Sequence, residues 1–464
     1  MSQKEFVRRS FLGIVFAVLT VPSTFSQGTL KNGGTFRNTG SATYKEVQNY
    51  TTTAGTIMNS GTINISQGGG TGNLLNSSGA LNGTIRNYIG GTGAGTIVCA
   101  GSTGDYSNGT GSTDNDSLNG YVGTIKLIGA LSSTGTLDTD NGKVEYNGSG
   151  AQSVFLTSYG ALVASGGNTK TLTSGTTTVN DSLRIASSTT LNISTFTLSL
   201  NGQSNASSGT LTASSGTVDY SGDRDQTIIP GTYGVLTLSG STSAHTKSVS
   251  AGISFGASGS LTVGANDTLD VTAGTLDLNT NSPSLTNNGV IKVGGDLAIH
   301  GGITNVGDLM YYGGGAQTIA SGTYTDLLLQ GAGAKNFGSN TVIVTGAFSI
   351  APGAGARNYG TSTVRSGGTS GTQTISGLSS ESFNTLEFGG GAAKDIAAGS
   401  LGAVTATILT GSGVVTNNAT FSITAGGLNV QPTGSFVNAA TVDINGGDIT
   451  NDGTITNNGS ITVQ

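Results

Sequence analysis

Three pairs of aspartates are spaced so that, on an extended segment, each pair could hold a cation or perform paired acid and base chemistry on a polysaccharide, whereas on a turn they would be solvated. They are Asp114/Asp116, Asp138/Asp140 and Asp223/Asp225. Residues two apart on a strand project from the same face, and a pair of carboxyl groups is sufficient to cleave glycosidic bonds. In other copies of the repeat described below, the place of Asp223–Asp225 is taken by the small residues Ser149-Gly150-Ala151 and Gly314-Gly315-Ala316. The pairs therefore leave a carbohydrate-active enzyme, a polysaccharide lyase or hydrolase, open as one hypothesis.

Other catalytic and metal-binding patterns are weak. Gly252–Gly256 fits Gly-x-Ser-x-Gly, but no helical period follows Ser254 and a nucleophile elbow requires a helix there. His245 and His300 are the only histidines, too few for a zinc site built on histidine. Asp138–Gly142 resembles the start of a calcium loop without the acid at its twelfth position. The sequence therefore predicts no catalytic residue, no metal site and no cofactor.

The elements that carry these residues belong to a long repeat that occurs four times between residues 144 and 400. Each copy has, in order, a glutamine, an aromatic residue, a leucine, a glycine and a lysine. The copies are Gln152, Tyr159, Leu162, Gly166 and Lys170; Gln226, Tyr233, Leu236, Gly240 and Lys247; Gln317, Tyr324, Leu327, Gly331 and Lys335; and Gln373, Phe383, Leu386, Gly390 and Lys394. A tyrosine precedes the glutamine in the first three copies, aligned as Tyr146, Tyr220 and Tyr312. Such self-similarity predicts units that bury their apolar faces by stacking on neighbours.

The recurring glutamines and aromatic residues have two interpretations. Each glutamine opens a predicted strand and each aromatic residue starts the next, which favours side chains that close corners and cap the apolar interior. On an exposed outer face, the same side chains would instead form a ladder that contacts a ligand. The residues concerned are Tyr159, Tyr233, Tyr324, Phe383, Gln152, Gln226, Gln317 and Gln373.

Strand spacing predicts the fold class. Between residues 261 and 312, short segments such as Leu269–Val271 and Leu276–Leu278 alternate apolar and polar residues, and Gly, Asn or Asp lies between them. Strand centres recur about every seven residues, so three strands close a coil of about 21 residues. A β-sandwich has wider strand spacing. The sequence therefore predicts an all-β, right-handed parallel β-helix.

Composition and the N-terminus indicate an ordered, exported protein. Only 9% of the 464 residues are charged, 34% are hydrophobic and 5 are Pro, a combination atypical of disorder. Lys4, Arg8 and Arg9 precede the apolar run Phe11–Val21, which predicts a signal peptide that ends before Gln27. The net charge of −6 and the lack of a basic cluster exclude nucleic-acid binding. The apolar run is too short for a permanent transmembrane helix.

The predicted organisation has four parts. Residues 1–26 are the signal peptide, 27–143 an N-terminal cap and Asn/Gly/Thr-rich coils, 144–400 the four long repeats, and 401–464 C-terminal coils. The single Cys99 cannot form an internal disulfide, so the array itself must provide stability. The two ends of a stacked array expose sheet edges, which predicts end-to-end self-association.

The chain contains Asn-x-Gly-Thr/Ser-Ile motifs that resemble those of a known class of proteins. They are Asn59–Ile63, Asn451–Ile455 and Asn457–Ile461, in which Asn and Gly suit sharp corners and stacked Asn side chains form hydrogen-bonded ladders. With the signal peptide and the Gly/Asn/Thr/Ser-rich coils, the chain resembles bacterial surface adhesins of the filamentous-haemagglutinin-like and autotransporter-passenger-like kinds. The sequence shows neither an outer-membrane barrel block nor a wall-sorting tail of the kind that anchors such proteins.

The resemblance implies a β-helix displayed outside a bacterium that attaches to cells, extracellular matrix or glycans. The leading hypothesis is a secreted or cell-surface rod without enzymatic activity, an adhesin or extracellular structural protein. Its partners would be glycans, extracellular matrix or other cell-surface proteins, bound through repetitive outer faces. A carbohydrate-active enzyme and a passive spacer or stalk are the alternatives.

Overall fold

The computed structural model describes most of the chain after residue 142. It covers residues 143–464 except 155–157, 174, 241, 301–305, 398–399, 405–407 and 411, and side chains are described there except at 379–380, 400–404, 408–410 and 421. Before residue 143, it describes the backbone of short strands and the side chain of Leu127. The signal peptide, Asp116 and Asp140 lie outside the described residues, as do the side chains of Cys99, Asp114 and Asp138.

The described chain consists of short strands and contains no α-helix. Strands before residue 143 are β1 Thr29–Asn32, β2 Thr35–Asn38, β3 Ser41–Tyr44, β4 Glu46–Asn49, β5 Thr56–Ile65, β6 Asn73–Asn76, β7 Leu81–Arg86, β8 Thr96–Cys99, β9 Tyr106–Ser107, β10 Ser112–Asp114, β11 Thr124–Leu127, β12 Leu131–Ser132 and β13 Thr136–Asp138. The next strands are β14 Lys143–Tyr146, β15 Gln152–Val154, β16 Ser158–Ala164, β17 Asn168–Leu172, β18 Thr176–Ile185, β19 Thr189–Asn192, β20 Thr197–Leu200, β21 Ser204–Ser207 and β22 Thr210–Tyr220.

The chain divides into two compact units, Met1–Leu211 and Thr212–Gln464. Strands of the second unit up to residue 350 are β23 Gln226–Thr227, β24 Gly231–Leu238, β25 His245–Val249, β26 Ile253–Val263, β27 Asp267–Val271, β28 Thr275–Leu278, β29 Ser284–Asn287, β30 Val290–Val293, β31 Asp296–Ile299, β32 Gly307–Tyr311, β33 Gln317–Thr318, β34 Gly322–Leu329, β35 Lys335–Asn336, β36 Thr341–Val344 and β37 Phe348–Ile350. The remaining strands are β38 Arg357–Asn358, β39 Thr363–Ser366, β40 Thr372–Ser376, β41 Ser379–Glu381, β42 Thr385–Phe388, β43 Ala393–Ile396, β44 Ser400–Val404, β45 Ile408–Thr410, β46 Val414–Asn417, β47 Thr420–Ile423, β48 Leu428–Val430, β49 Ser435–Asn438, β50 Thr441–Ile444, β51 Ile449–Asn451, β52 Thr454–Asn457 and β53 Ser460–Val463.

Within each unit, the strands pair in parallel with strands about one coil away, which confirms the predicted parallel β-helix. About 14 turns are formed. Near the C-terminus, one coil holds three strands, since β46, β47 and β48 pair with β49, β50 and β51. Val415 lies opposite Phe436, a coil of 21 residues (436−415), and the coil from Phe348 to Ile375 has 27 (375−348). The predicted coil of about 21 residues is therefore correct as a typical length, and right-handedness stays a prediction.

The interior is a narrow column of aliphatic side chains. On strands such as β27 and β50, buried and partly exposed residues alternate, because successive side chains of a strand point to opposite faces. Leu269, Val271, Val442 and Ile444 are fully buried on these two strands. β-Branched and leucine side chains fill this thin interior, while the polar residue between them faces outwards.

An asparagine ladder of the predicted kind occupies one corner of the C-terminal coils, and of its three members only Asn457 belongs to the sequences for which it was predicted. Asn417 Nδ2 donates to Asn438 Oδ1 at 2.8 Å, and Asn438 Nδ2 donates to Asn457 Oδ1 at 2.8 Å. Asn417 and Asn438 are buried. Each amide therefore satisfies the next one along the stack in place of water.

Candidate functional site

The repeated glutamines lie inside the coils and bind backbone groups. Gln317 Oε1 accepts a hydrogen bond from Gly313 N at 2.8 Å, and its Nε2 donates to Val293 O at 2.8 Å and Gly295 O at 2.5 Å. Corresponding bonds tie Gln152 to Gly148 N and Leu127 O, and Gln373 to Gly368 N and Val344 O. Gln226 Oε1 accepts from Gly222 N at 3.2 Å. A buried amide at this position satisfies turn groups that water cannot reach.

Each repeated lysine lies opposite its glutamine on the next coil and is also buried. Gln317 pairs with Lys335 in the strand register, and Lys335 Nζ donates to Gly313 O at 3.2 Å and Gly333 O at 2.9 Å. The amines of Lys170, Lys247 and Lys394 bind two backbone carbonyl groups in the same way. Burial lowers the pKa of Lys335 and of Lys170. We call each glutamine, its lysine and the turn between them a Gln–Lys corner.

The repeated aromatic residues are buried as well. The hydroxyl groups of Tyr146 and Tyr159 form a hydrogen bond of 2.8 Å with each other. Tyr233 donates to Ile229 O, and Tyr220 accepts from Ile229 N at 2.8 Å. Further along the chain, the corresponding pair is Tyr311, which accepts from Ala320 N at 3.1 Å, and Tyr324, which donates to Ala320 O at 2.6 Å. Phe383 replaces the second tyrosine in the fourth copy and packs on Tyr359, with ring centroids 4.3 Å apart.

The alignment of Tyr312 with Tyr146 and Tyr220 was wrong by one residue. Tyr311 is the fully buried partner of Tyr324, whereas Tyr312 is partly exposed on the outer face. Because successive residues of a strand point to opposite faces, the shift of one residue exchanges an interior ring for an exterior one. The eight predicted ladder residues Tyr159, Tyr233, Tyr324, Phe383, Gln152, Gln226, Gln317 and Gln373 are all buried.

The buried tyrosines predict unfolding by alkali. Burial raises the pKa of Tyr220 and of Tyr311 from 10.0 to about 12. Because the unfolded chain loses these protons first, the stabilisation is present below pH 10 and is lost as the pH rises towards 12. The loss amounts to about 1.4 kcal/mol for each tyrosine and each pH unit in that window. Urea unfolding midpoints measured from pH 9 to 12 should fall, and Tyr220→Phe should reduce the slope. A midpoint independent of pH across this window would contradict the prediction.

The aspartate pair with described side chains lies on the turn of the second Gln–Lys corner. Asp223 Oδ1 is 3.1 Å from His245 Nε2 and Asp225 Oδ1 is 3.6 Å from His245 Nδ1, and the two carboxylates are 46% and 68% exposed. Hydrogen bonds from Thr242 lower the pKa of Asp223. Asp225 Oδ1 accepts from Thr246 N at 2.8 Å. Both carboxylates therefore bind the turn to the next coil. The lowered pKa of Asp223 is the opposite of what a general acid at neutral pH requires.

The remaining sequence candidates occupy structural positions. Ser254 lies on strand β26, where its Oγ is 2.8 Å from Thr232 Oγ1. His300 Nε2 is 3.0 Å from Pro283 O. Among the described residues, no group of three His, Cys, Asp or Glu side chains is placed to hold a metal ion.

The outer face of the second unit carries one site that the sequence did not reveal. Tyr312 Oη donates to Asp270 Oδ1 at 2.6 Å across 42 residues of chain. A Cβ atom on Gly294 would lie 3.0 Å from Tyr312 Cζ, so the ring packs against this glycine. Burial, followed by the hydrogen bond and the charge of Asp270, raises the pKa of Tyr312. The hydrogen bond to Asp270 and the contact with Gly294 therefore hold the ring in place, and the side chain is partly exposed.

Beside this ring, apolar side chains point outwards in one row. The strand register aligns Asp270, Lys292, Met310 and Leu328 on neighbouring coils, and all four are partly exposed. These four residues and Tyr312 form what we call the Tyr312 face. At about 4.8 Å per coil, the row spans roughly 14 Å.

A second outward row in the same unit has a different composition. There the register aligns Asp219, Thr237, Thr262 and Thr286, which are all polar. In the Tyr312 face, by contrast, the outward positions of β32 and β34 hold the apolar residues Met310 and Leu328. They follow the charged residues Asp270 and Lys292 in the same row. Partly exposed apolar side chains beside charged groups offer a surface for contact with a ligand.

Comparisons of this chain with protein-family models, with curated proteins and with solved structures found no match. Over the part of the chain that the structure describes, no helix has the length and apolar character needed to cross a membrane.

Proposed function

We propose that this protein is an extracellular, non-enzymatic β-solenoid that attaches to glycans through its outer wall, as an adhesin or a structural protein of a bacterial surface. The observation that carries the proposal is the Tyr312 face. Export through the N-terminal leader, residues 1–26, is part of the proposal and rests on the sequence.

The chemistry of the Tyr312 face suits a sugar chain. A pyranose ring has an apolar face of C–H groups and an edge of hydroxyl groups. The flat ring of Tyr312, together with Met310 and Leu328, offers an apolar platform, and Lys292 and Asp270 place charged hydrogen-bonding groups along its border. Because the platform follows the coil axis over roughly 14 Å, it is long enough to contact two or three consecutive sugar units.

The side chains that remain for contact with a ligand lie on the outer wall, where each contact is shallow and affinity must come from several contacts at once. Within the described residues, the repeated glutamines and lysines bind backbone groups, and the repeated tyrosines bind backbone groups or one another. Contacts with a ligand must then come from the outer wall. A polymer that contacts several shallow positions at once gains affinity through the high effective concentration of the second and later contacts.

Replacing Tyr312 with alanine should weaken glycan binding about tenfold, the equivalent of about 1.4 kcal/mol, because the stacking platform is lost. Binding of the purified full chain is measured first on an array of immobilised plant, bacterial and animal glycans and then by titration of the best glycan. Tyr312→Phe, which keeps the ring, should retain most of the affinity.

Thr262→Ala is the matched control, since it changes an outward residue on the all-polar row of the same unit. It should bind as the unchanged protein does. Equal affinity of the Tyr312→Ala and unchanged chains, or no binding to any glycan on the array, would rule out this face as the adhesive surface.

A further inference from the structure

The second Gln–Lys corner differs from the other three because it holds a carboxylate next to the buried amine. Lys247 Nζ lies 3.7 Å from Asp267 Oδ1, and the two side chains are 0% and 2% exposed. Asp267 stands two residues before Leu269, the register partner of Lys247. The corresponding places opposite the other three lysines hold residues that cannot ionise. These residues are Thr189, Gly355 and Gly413.

Two backbone carbonyl groups orient the amine of Lys247. Its Nζ donates to Gly222 O and, at 2.8 Å, to Arg224 O. A neutral amine has two N–H groups and one lone pair, so two carbonyl acceptors occupy both N–H groups and leave the lone pair at the remaining position. Burial lowers the pKa of Lys247, against the opposing charges of Asp267, Asp225 and Asp223.

The carboxyl group of Asp267 is also held in place. Asp267 N donates to Gly264 O at 3.0 Å, and a Cβ on Gly264 would lie 2.7 Å from Asp267 Oδ2, so the carboxyl group packs against this glycine. Asp219 is near enough to both Asp267 and Lys247 to interact with their charges. Burial raises the pKa of Asp219.

We propose that Lys247 and Asp267 are the site of an intramolecular isopeptide bond that joins two consecutive coils. A proton passes from the Lys247 ammonium group to the Asp267 carboxylate, the amine nitrogen attacks Cγ of Asp267, a C–N bond forms and one C–O bond breaks. The oxygen leaves as water with one hydrogen from the amine and one from the carboxyl group. The reaction changes no oxidation state and requires no cofactor. Proximity and the exclusion of water by burial favour it, since both groups are held in one dry corner.

Such a bond would give the solenoid a covalent tie between β25 and β27. The chain has a single cysteine, so a disulfide between coils cannot serve this purpose. The bond would close a loop of 20 residues (267−247) and would prevent the two coils from separating at that corner.

The test is a tryptic digest of the purified, denatured full chain, followed by mass spectrometry. Trypsin should not cleave after Lys247, because an acylated lysine is not a substrate. The expected product is the peptide 225–292, lighter by the mass of one water molecule. Chymotryptic cleavage at Phe255 or Leu261 should then open this peptide while its two parts remain joined. In the same digest, cleavage after Lys335 should proceed normally, because Gly355 stands where Asp267 stands opposite Lys247.

The Asp267→Ala chain should regain cleavage after Lys247 and lose the joined product, whether or not the variant folds fully. Complete cleavage after Lys247 in the unchanged protein, with both peptides at the masses expected from the sequence, would show that the two residues form an ion pair only and would overturn the proposal.

Discussion

Replacing Glu381 with alanine should destabilise the protein by about 3–5 kcal/mol, because it leaves a buried guanidinium group without its counter-charge. Glu381 Oε2 accepts from Arg357 Nε at 3.0 Å and from Tyr359 Oη at 3.0 Å, and Arg357 Nη2 donates to Oε1. The side chains of Glu381 and Arg357 are only 2% and 13% exposed. The hydrogen bond to Glu381 raises the pKa of Arg357. Without that bond a guanidinium group still stays protonated at neutral pH, so loss of a proton cannot relieve the uncompensated charge.

The aromatic stack next to this pair would be affected too. Tyr359 packs on Phe337 with ring centroids 4.6 Å apart and on Phe383 at 4.3 Å, so its hydroxyl group is directed towards Glu381 by packing on both sides. Without Glu381, the buried Tyr359 hydroxyl loses its acceptor as well. The expected cost therefore includes an unsatisfied polar group in addition to the charge.

Urea unfolding followed by circular dichroism measures this effect, and hydrogen exchange of the coils around β38 and β41 locates it. The matched control is Glu387→Ala. Glu387 faces Arg365 at 3.7 Å, but the two side chains are 26% and 44% exposed, so the expected cost is below about 1 kcal/mol. Similar shifts of the unfolding midpoint in both variants would show that burial of the Arg357–Glu381 pair does not set the cost.

The strands could be predicted from the sequence wherever apolar and polar residues alternate. Segments such as Leu276–Leu278 and Val290–Val293 have this pattern, and the structure places β28 and β30 over them. Strand β29, Ser284–Asn287, was missed because Leu285 is its only apolar residue and is itself partly exposed. This strand is held by its parallel pairing with β26, a partner 24 residues earlier (284−260), which no local pattern encodes.

The repeat identified the residues of the Gln–Lys corners but not their bonds. Gln317 and Lys335 recur at matching positions in every copy, yet their hydrogen bonds reach carbonyl groups of neighbouring coils. Those contacts depend on the stacking register, which a single copy does not specify. The register also decides between Tyr311 and Tyr312, because two adjacent tyrosines are equivalent in type and differ only in the face that they occupy. Alternation with the buried Leu309 is the signal that would have selected Tyr311.

The turns that follow the repeated leucines each contain a glycine with left-handed backbone geometry. Gly331 has φ +78°, and the other repeat glycines, Gly166, Gly240 and Gly390, have φ between +68° and +81°. A Cβ on Gly331 would lie 2.0 Å from Tyr312 O and 2.6 Å from Tyr312 C. Gln330 N donates to Tyr311 O at 2.8 Å, so the backbone of the preceding coil is held in place beside this contact.

Gly331→Ala should therefore lower stability by about 2–5 kcal/mol, as the left-handed strain and the steric overlap add. Gly353→Ala separates the two contributions, because Gly353 has φ +79° and a Cβ added there would meet no atom within 4 Å, so this variant should lose only about 1–2 kcal/mol. Urea unfolding midpoints of the two variants provide the comparison. If both variants lose the same stability, the close approach of consecutive coils is not what requires glycine in the repeat, and the backbone conformation alone is sufficient to explain it.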